Sequence, residues 1–135
     1  MDSLTKEQRS ELMAKVKSKN TKPELIVRSI THRMGFRYRL HDKKLPGKPD
    51  MVFKKSKKVI LINGCFWHRH IGCSRCRMPK SRRSFWKEKF KRNIARDEIT
   101  KKRISDLGWN YLIIWECELE NISALSDKIR TFLES

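Results

Sequence analysis

The order of elements legible in the sequence predicts an α/β chain, a small mixed sheet flanked by helices. Three observations carry this. The run 58–63 ("KVILIN") is apolar on both faces, as a central strand is, and 110–116 ("NYLIIWE") reads as a second buried strand. Between them, 84–107 has the length and apolar periodicity of a long helix. Taken with the shorter segments, the order is α-α-β-β-β-α-β-α, and a chain of 135 residues fits one domain with a real core.

Each element has its own signal. Residues 5–17 ("TKEQRSELMAKVK") place Thr5 and Gln8 at capping-box spacing and Leu12, Met13 and Val16 on one stripe, which predicts a first helix broken by "SKN". A second helix begins at Thr21, with Pro23 in its first turn and Glu24 three residues after the cap. Leu25, Ile26, Ile30 and Met34 are its expected buried face, and Gly35 its end. Alternation in "FRYRLH" (36–41) predicts a strand, and "DKKLPGKPD" a loop. "MVF" (51–53) and 58–63 are strands around the turn "KKSK". "GCFWHRHIGCSRC" (64–76) and a basic loop, "RMPKSRRS", lead into the long helix, which stops at Gly108. A last helix covers 123–133, and there is no internal repeat, low-complexity tract or linker.

Composition narrows the function classes. No run approaches the ~18 apolar residues of a membrane span. The polar start "MDSLTKEQRS" is not a secretory signal, so a reducing cytoplasm is expected, where the four cysteines read as metal ligands before disulfides. Lys and Arg number 33 against 15 acids, a net charge of +18 spread along the chain. That excess favours nucleic acid. A packaging protein would need only the charge, which leaves four tryptophans and the cysteine–histidine cluster unexplained.

The cluster itself is dense: Cys65, Cys73, Cys76, His68 and His70 fall within 64–76, and Phe66 and Trp67 sit among them. A structural zinc takes four N or S ligands. Two sets compete. Cys65, His70, Cys73 and Cys76 form a local C-x4-H-x2-C-x2-C, which short loop closure slightly favours; Cys65, His70, Cys73 and Cys117 would tie the loop to the strand "LIIWEC". Upstream, "LPGKPD" sets Asp50 directly before a strand, where many nucleases begin a hard-cation site. The acid-x-Lys that usually follows on the next strand is missing, for that strand ends Leu61, Ile62, Asn63. On the long helix, Trp86, Phe90, Asn93, Asp97 and Ile104 share one stripe, so two polar groups interrupt an apolar face and need partners.

"LPGKPDMVF", "INGCFWHRH", "RMPKSRRSFWKEKFKRNIARD" and "LGWNYLIIWEC", in this order and spacing, resemble the very short patch repair (Vsr) DNA mismatch endonucleases over about residues 5–120. The resemblance implies a restriction-endonuclease-like fold, a structural Zn2+, and Mg2+-dependent nicking of one strand beside the thymine of a T:G mismatch left by deamination of 5-methylcytosine. It implies a monomer acting on double-stranded DNA in a bacterial-type cytoplasm, associated with the nucleoid, with mismatch-repair proteins as candidate partners.

Residue by residue, Asp50 matches the Mg2+-binding aspartate and His68 the histidine that activates water. Glu24 and Asp97 match further acids of the site, and Ile62 stands where a backbone oxygen reaches the Mg2+. Cys65, His70, Cys73 and Cys117 match the zinc ligands, which overrules the local set and leaves Cys76 over. Phe66, Trp67 and Trp86 match the aromatic wedge; with Met13 of the N-terminal helix and Asn93 they make up the expected DNA-contacting set. Residues 1–20 would form a DNA-contacting helix, free to move without DNA. Where the family's best-studied type has Thr-His this chain has Ile62 and Asn63, and the zinc loop has one extra residue between His70 and Cys73. Two rivals share the charge and the zinc: a non-catalytic nucleic-acid binder, and a restriction-type nuclease acting on unmodified DNA.

Overall fold

The computed structural model describes residues 21–135, so the predicted helix 5–17, with Met13, lies outside the described residues. The elements run α1 (Lys22–Arg33), β1 (Arg39–Leu40), β2 (Met51–Phe53), β3 (Lys58–Asn63), α2 (Arg83–Asp106), β4 (Asn110–Trp115), a 3-10 helix (Glu116–Glu120) and α3 (Ile122–Glu134). Among the described residues, four strands form one sheet in the order β1-β2-β3-β4. The first two pairings are antiparallel and β3 with β4 is parallel, so the sheet is mixed, as expected. A parallel pair needs a long crossover, and α2 is that crossover.

Strand alternation divides the core. Met51, Phe53, Ile60 and Ile114 face α1 and α3, where they meet Val27, Leu125, Ile129 and Leu133. Val52 and Val59 face the other way, against Ile104 of α2. Helices cover the sheet on both faces, which is why β3 shows no polar alternation.

Local chemistry sets the boundaries. The Glu24 N–H donates to Thr21 Oγ1 at 3.4 Å at the start of α1, and the Ala124 N–H to Asn121 Oδ1 at 3.1 Å at the start of α3. Three expectations are corrected. Leu25 is 51 % exposed, and α1 buries Glu24, Val27 and Thr31, with the expected Ile30 and Met34 packed partly buried against the core. The strand expected over 36–41 is only Arg39–Leu40, because Phe36 and Tyr38 pack onto the core and His41 turns left-handed at φ 45°. Strand β4 stops at Trp115, whose N–H donates to Glu118 Oε2 at 2.8 Å, and the chain tightens into the 3-10 helix.

Candidate active site and metal centre

The register of the parallel pair explains the cysteine cluster. Asn63 of β3 stands opposite Trp115 of β4, so Cys65 and Cys117, two residues further along each strand, leave the sheet side by side. Beyond Cys65 the chain turns tightly, with the His68 N–H on Gly64 O at 3.1 Å and the His70 N–H on Cys65 O at 3.0 Å. Arg69 adopts φ 54° in that turn and Gly72 φ 85° in the next. The turns swing His70 and Cys73 back over Cys65, and the ligand atoms of Cys65, His70, Cys73 and Cys117 lie within 4.8 Å of one another. The His70 ring stacks on Trp115 at 4.2 Å, and its Nδ1 is 3.6 Å from Cys65 Sγ and 3.4 Å from Cys117 Sγ. Cys76 is outside the cluster.

Burial pushes the Cys65 thiol up to about 12 and raises Cys117 as well, whereas a hydrogen bond from the Arg75 backbone lowers Cys73. Thiolates gathered in this way need a cation to be stable, and three sulfurs with one imidazole are the donors of a tetrahedral structural site. Outside the cluster, Arg75 pairs with Glu120 at 2.8 Å and Glu116 at 3.7 Å, tying the loop to the 3-10 helix. We expect Cys117→Ala to abolish tightly held metal and Cys76→Ala to retain it; metal analysis of the purified variants giving the reverse order would restore the local ligand set.

A second group of side chains gathers on the far side of Gly64. Asp50 precedes β2, and its Oδ2 accepts a 2.6 Å hydrogen bond from the Ile62 N–H, which fixes the carboxylate to β3. Loop 42–50 can come this close to α2 because residue 47 is glycine: a Cβ there would run into Thr100 Cγ2, and its φ of 73° also favours glycine. Glu24, buried on α1, accepts from Arg28 Nη2 at 2.9 Å and faces His41 and Asp50. Burial, reinforced by the Glu24 carboxylate, raises Asp50 to about 6, against the pull of the Ile62 N–H and His41. A buried carboxylate and a partly buried one this close suit a cation.

The polar residues of the α2 stripe find partners in the loop after β3. His68 Nδ1 is 2.7 Å from Asp97 Oδ2, and Asn93 Nδ2 donates to Trp67 O at 3.1 Å. A carboxylate only accepts, so His68 Nδ1 carries the proton of this bond and Nε2 is the ring's acceptor. Glu24, Asp50, Ile62, His68 and Asp97 all line one open cleft of about 920 Å³, with Lys43, Lys48 and Arg96 at its walls. The cleft therefore joins a carboxylate pair fit for a hard cation to an oriented imidazole.

Trp67 lines the same cleft and belongs to a cluster of aromatic side chains. Phe66 makes edge-to-face contacts with Trp67, Trp86 and Phe90 at 5.2–5.6 Å between centroids, and Trp86 stacks on Phe90 at 5.6 Å. Phe90 is buried at the base, whereas Trp67 is 38 % exposed. Arg69 locks the cluster to the loop, stacking on Phe90 at 3.9 Å and donating to Phe66 O and Arg77 O. The sequence reading missed two residues here. Phe85 extends the aromatic surface and is itself exposed. His41 enters the Glu24–Asp50 group from the end of β1, and nothing in "RLHDK" marks it.

A family model described as "DNA mismatch endonuclease Vsr" matches residues 1–75. The chain is 44 % identical over 133 residues to the type II nicking enzyme V.XorIIP of Xanthomonas oryzae, covering 98 % of this chain and 97 % of that protein. It is 41 % identical to the type II nicking enzyme V.NmeAIP of Neisseria meningitidis, over 95 % of this chain and 91 % of the relative. It is 37 % identical to the DNA mismatch endonuclease Vsr of Escherichia coli, over 91 % of this chain and 78 % of the relative.

Proposed function

We propose, from the premise that the chain belongs to the Vsr family and is a DNA endonuclease, that it nicks one strand of double-stranded DNA beside the thymine of a T:G mismatch. The observation that carries the reading is the single cleft in which Asp50, Glu24, Ile62, His68 and Asp97 meet beside the aromatic cluster. The names of the relatives support single-strand cleavage and mismatch repair. The mixed sheet covered by helices on both faces suits the restriction-endonuclease-like fold that the resemblance implies.

Asp50, with Glu24 beside it and the backbone of Ile62, would hold Mg2+, and oxygen donors suit that ion. Bound there, the ion would supply charge stabilisation for the phosphate and a more acidic water. The protein does the rest. Asp97 fixes the ring of His68 with Nε2 as the acceptor for the proton of the attacking water. The lysines and arginines hold phosphates irrespective of sequence. Cys65, His70, Cys73 and Cys117 would hold Zn2+ and keep the loop that carries Phe66, Trp67 and His68 stiff. A mismatched step is cheaper to open than a paired one, and stacking on the aromatic rings offsets what opening still costs. The protein would work as a monomer where the DNA is, in a bacterial-type cytoplasm. No helix among the described residues is long and apolar enough to cross a membrane.

Purified protein with Mg2+ and end-labelled T:G and T:A duplexes tests this reading. A single nick on the T:G duplex alone supports repair; equal cleavage of both supports a restriction-type nuclease, and binding without cleavage a non-catalytic binder. Trp67→Ala should weaken binding to T:G duplex by about 5- to 150-fold, the ~1–3 kcal/mol of one stacked base, and binding to T:A duplex much less. Equal losses on both duplexes, measured by fluorescence anisotropy, would make Trp67 a general contact.

A further inference from the structure

We propose that His41 is a third ligand of the catalytic cation, and that its nitrogen makes the site prefer a first-row divalent ion such as Mn2+ over Mg2+. The inference rests on the reading above that Asp50 holds that cation, and it goes beyond that reading because the site's expected donors were oxygens alone.

The ring of His41 is three-quarters buried, and its Nε2 is fully enclosed with no hydrogen-bond partner among the described residues. That nitrogen lies 3.3 Å from Glu24 Oε2, without the geometry of a hydrogen bond, and 3.9 Å from Asp50 Oδ1, beyond hydrogen-bond length. A buried polar atom that bonds neither neighbour needs an explanation. Donor atoms on neighbouring positions of a cation, each about 2.1–2.2 Å from it, stand about 3 Å apart. His41 Nε2 thus keeps a separation from both carboxylates that suits shared coordination better than direct bonding, and the ligand atoms of the three residues lie within 4.8 Å of one another. Each is also held from outside the group. Arg28 restrains Glu24, the Ile62 N–H restrains Asp50, and the left-handed backbone at His41, φ 45°, turns its ring inward from the end of β1. Mg2+ prefers oxygen and binds imidazole poorly, whereas Mn2+ and the ions after it accept nitrogen readily.

The test is direct titration of full-length, metal-centre-loaded protein with Mn2+, without DNA, following the electron-spin resonance of free Mn2+. Mg2+ affinity is obtained by displacement. His41→Ala and His41→Gln are compared with wild type and with Asp50→Asn; the glutamine keeps the side chain polar and of similar length should alanine disturb the fold. Both His41 variants should bind Mn2+ about tenfold or more weakly, with Mg2+ affinity changed less than about threefold. Spin-echo modulation should detect a coordinated nitrogen in the wild type and none in either variant. Wild-type Mn2+ affinity and a persisting nitrogen coupling in the His41 variants, with binding lost in Asp50→Asn, would overturn the proposal and leave the reading of Asp50 standing. Equal weakening of Mn2+ and Mg2+, with no nitrogen signal in the wild type, would also overturn it, reducing His41 to a spacer between carboxylates. Unchanged binding in all three variants would overturn both.

Discussion

Asp50→Asn is expected to lower the nicking rate by at least about 10³-fold while DNA affinity is held or rises. The cation's contribution to phosphate transfer is several kcal/mol, and each 1.36 kcal/mol is tenfold in rate. Asparagine keeps the size of the side chain, and its carbonyl oxygen can still accept from the Ile62 N–H, so the fold has no reason to fail. The pH behaviour gives an independent check. In the metal-free protein Asp50 sits at about 6, above its ordinary 3.8. A raised carboxyl means that the folded chain holds the proton more tightly than the unfolded chain. Stability from this group is therefore present at low pH and is lost as pH rises between 3.8 and about 6, by about 3 kcal/mol. A divalent cation should thus raise the melting temperature more at pH 7.5 than at pH 5, and metal-free Asp50→Asn should melt higher than metal-free wild type at pH 7.5. Wild-type nicking by Asp50→Asn in single-turnover assays would remove the cation site and leave the non-catalytic binder as the better reading.

His68→Ala should slow nicking by about 10²–10⁴-fold, the usual value of positioned proton transfer, with metal content and mismatch affinity unchanged. The second expectation follows from the separation of His68 from the cysteine cluster: its Nδ1 is committed to Asp97, and His70 faces the sulfurs. Asp97→Asn should approach the same loss, because a carboxamide can donate to Nδ1 and so force the ring into the tautomer whose Nε2 carries a proton and cannot accept one. Rates from single-turnover assays and zinc analysis of the same samples decide the matter. If His68→Ala lost its metal, the residue would be a ligand; if Asp97→Asn cut normally, the 2.7 Å contact would have no part in the chemistry.

The features readable in the sequence are those with a local period. Phe90 and Ile104 are buried along α2 as the helical stripe requires, and the polar breaks in that stripe, Asn93 and Asp97, do reach the loop after β3. Strand β3 is legible because burial on both faces leaves an apolar run; β4 carries a similar run, although it is an edge strand in which only Ile114 is fully buried. What depends on register is not legible. Spacing favours Cys76 over Cys117, and only the pairing of Asn63 with Trp115 brings Cys117 to Cys65. His41 is hidden for a related reason. It belongs to the site through the backbone turn that ends β1, whereas "FRYRLH" reads as a strand that alternates through it. The 3-10 helix escapes because a single side chain, that of Glu118, ends the strand and starts the turn.

The union of Cys65 with Cys117 has a consequence for the order in which a ribosome delivers this chain. Asp50 and His68 emerge before Cys117, along with most of the lysines and arginines. Until β4 has emerged and docked beside β3, the cluster lacks its last sulfur and the segment from Cys65 to Cys73 has nothing to close on. A nascent or prematurely terminated polypeptide could cling to the chromosome by charge, yet its proton acceptor would hang on an unclosed loop. On the proposed reading, cutting would wait for Cys117, and a chain broken before β4 would bind DNA without nicking it.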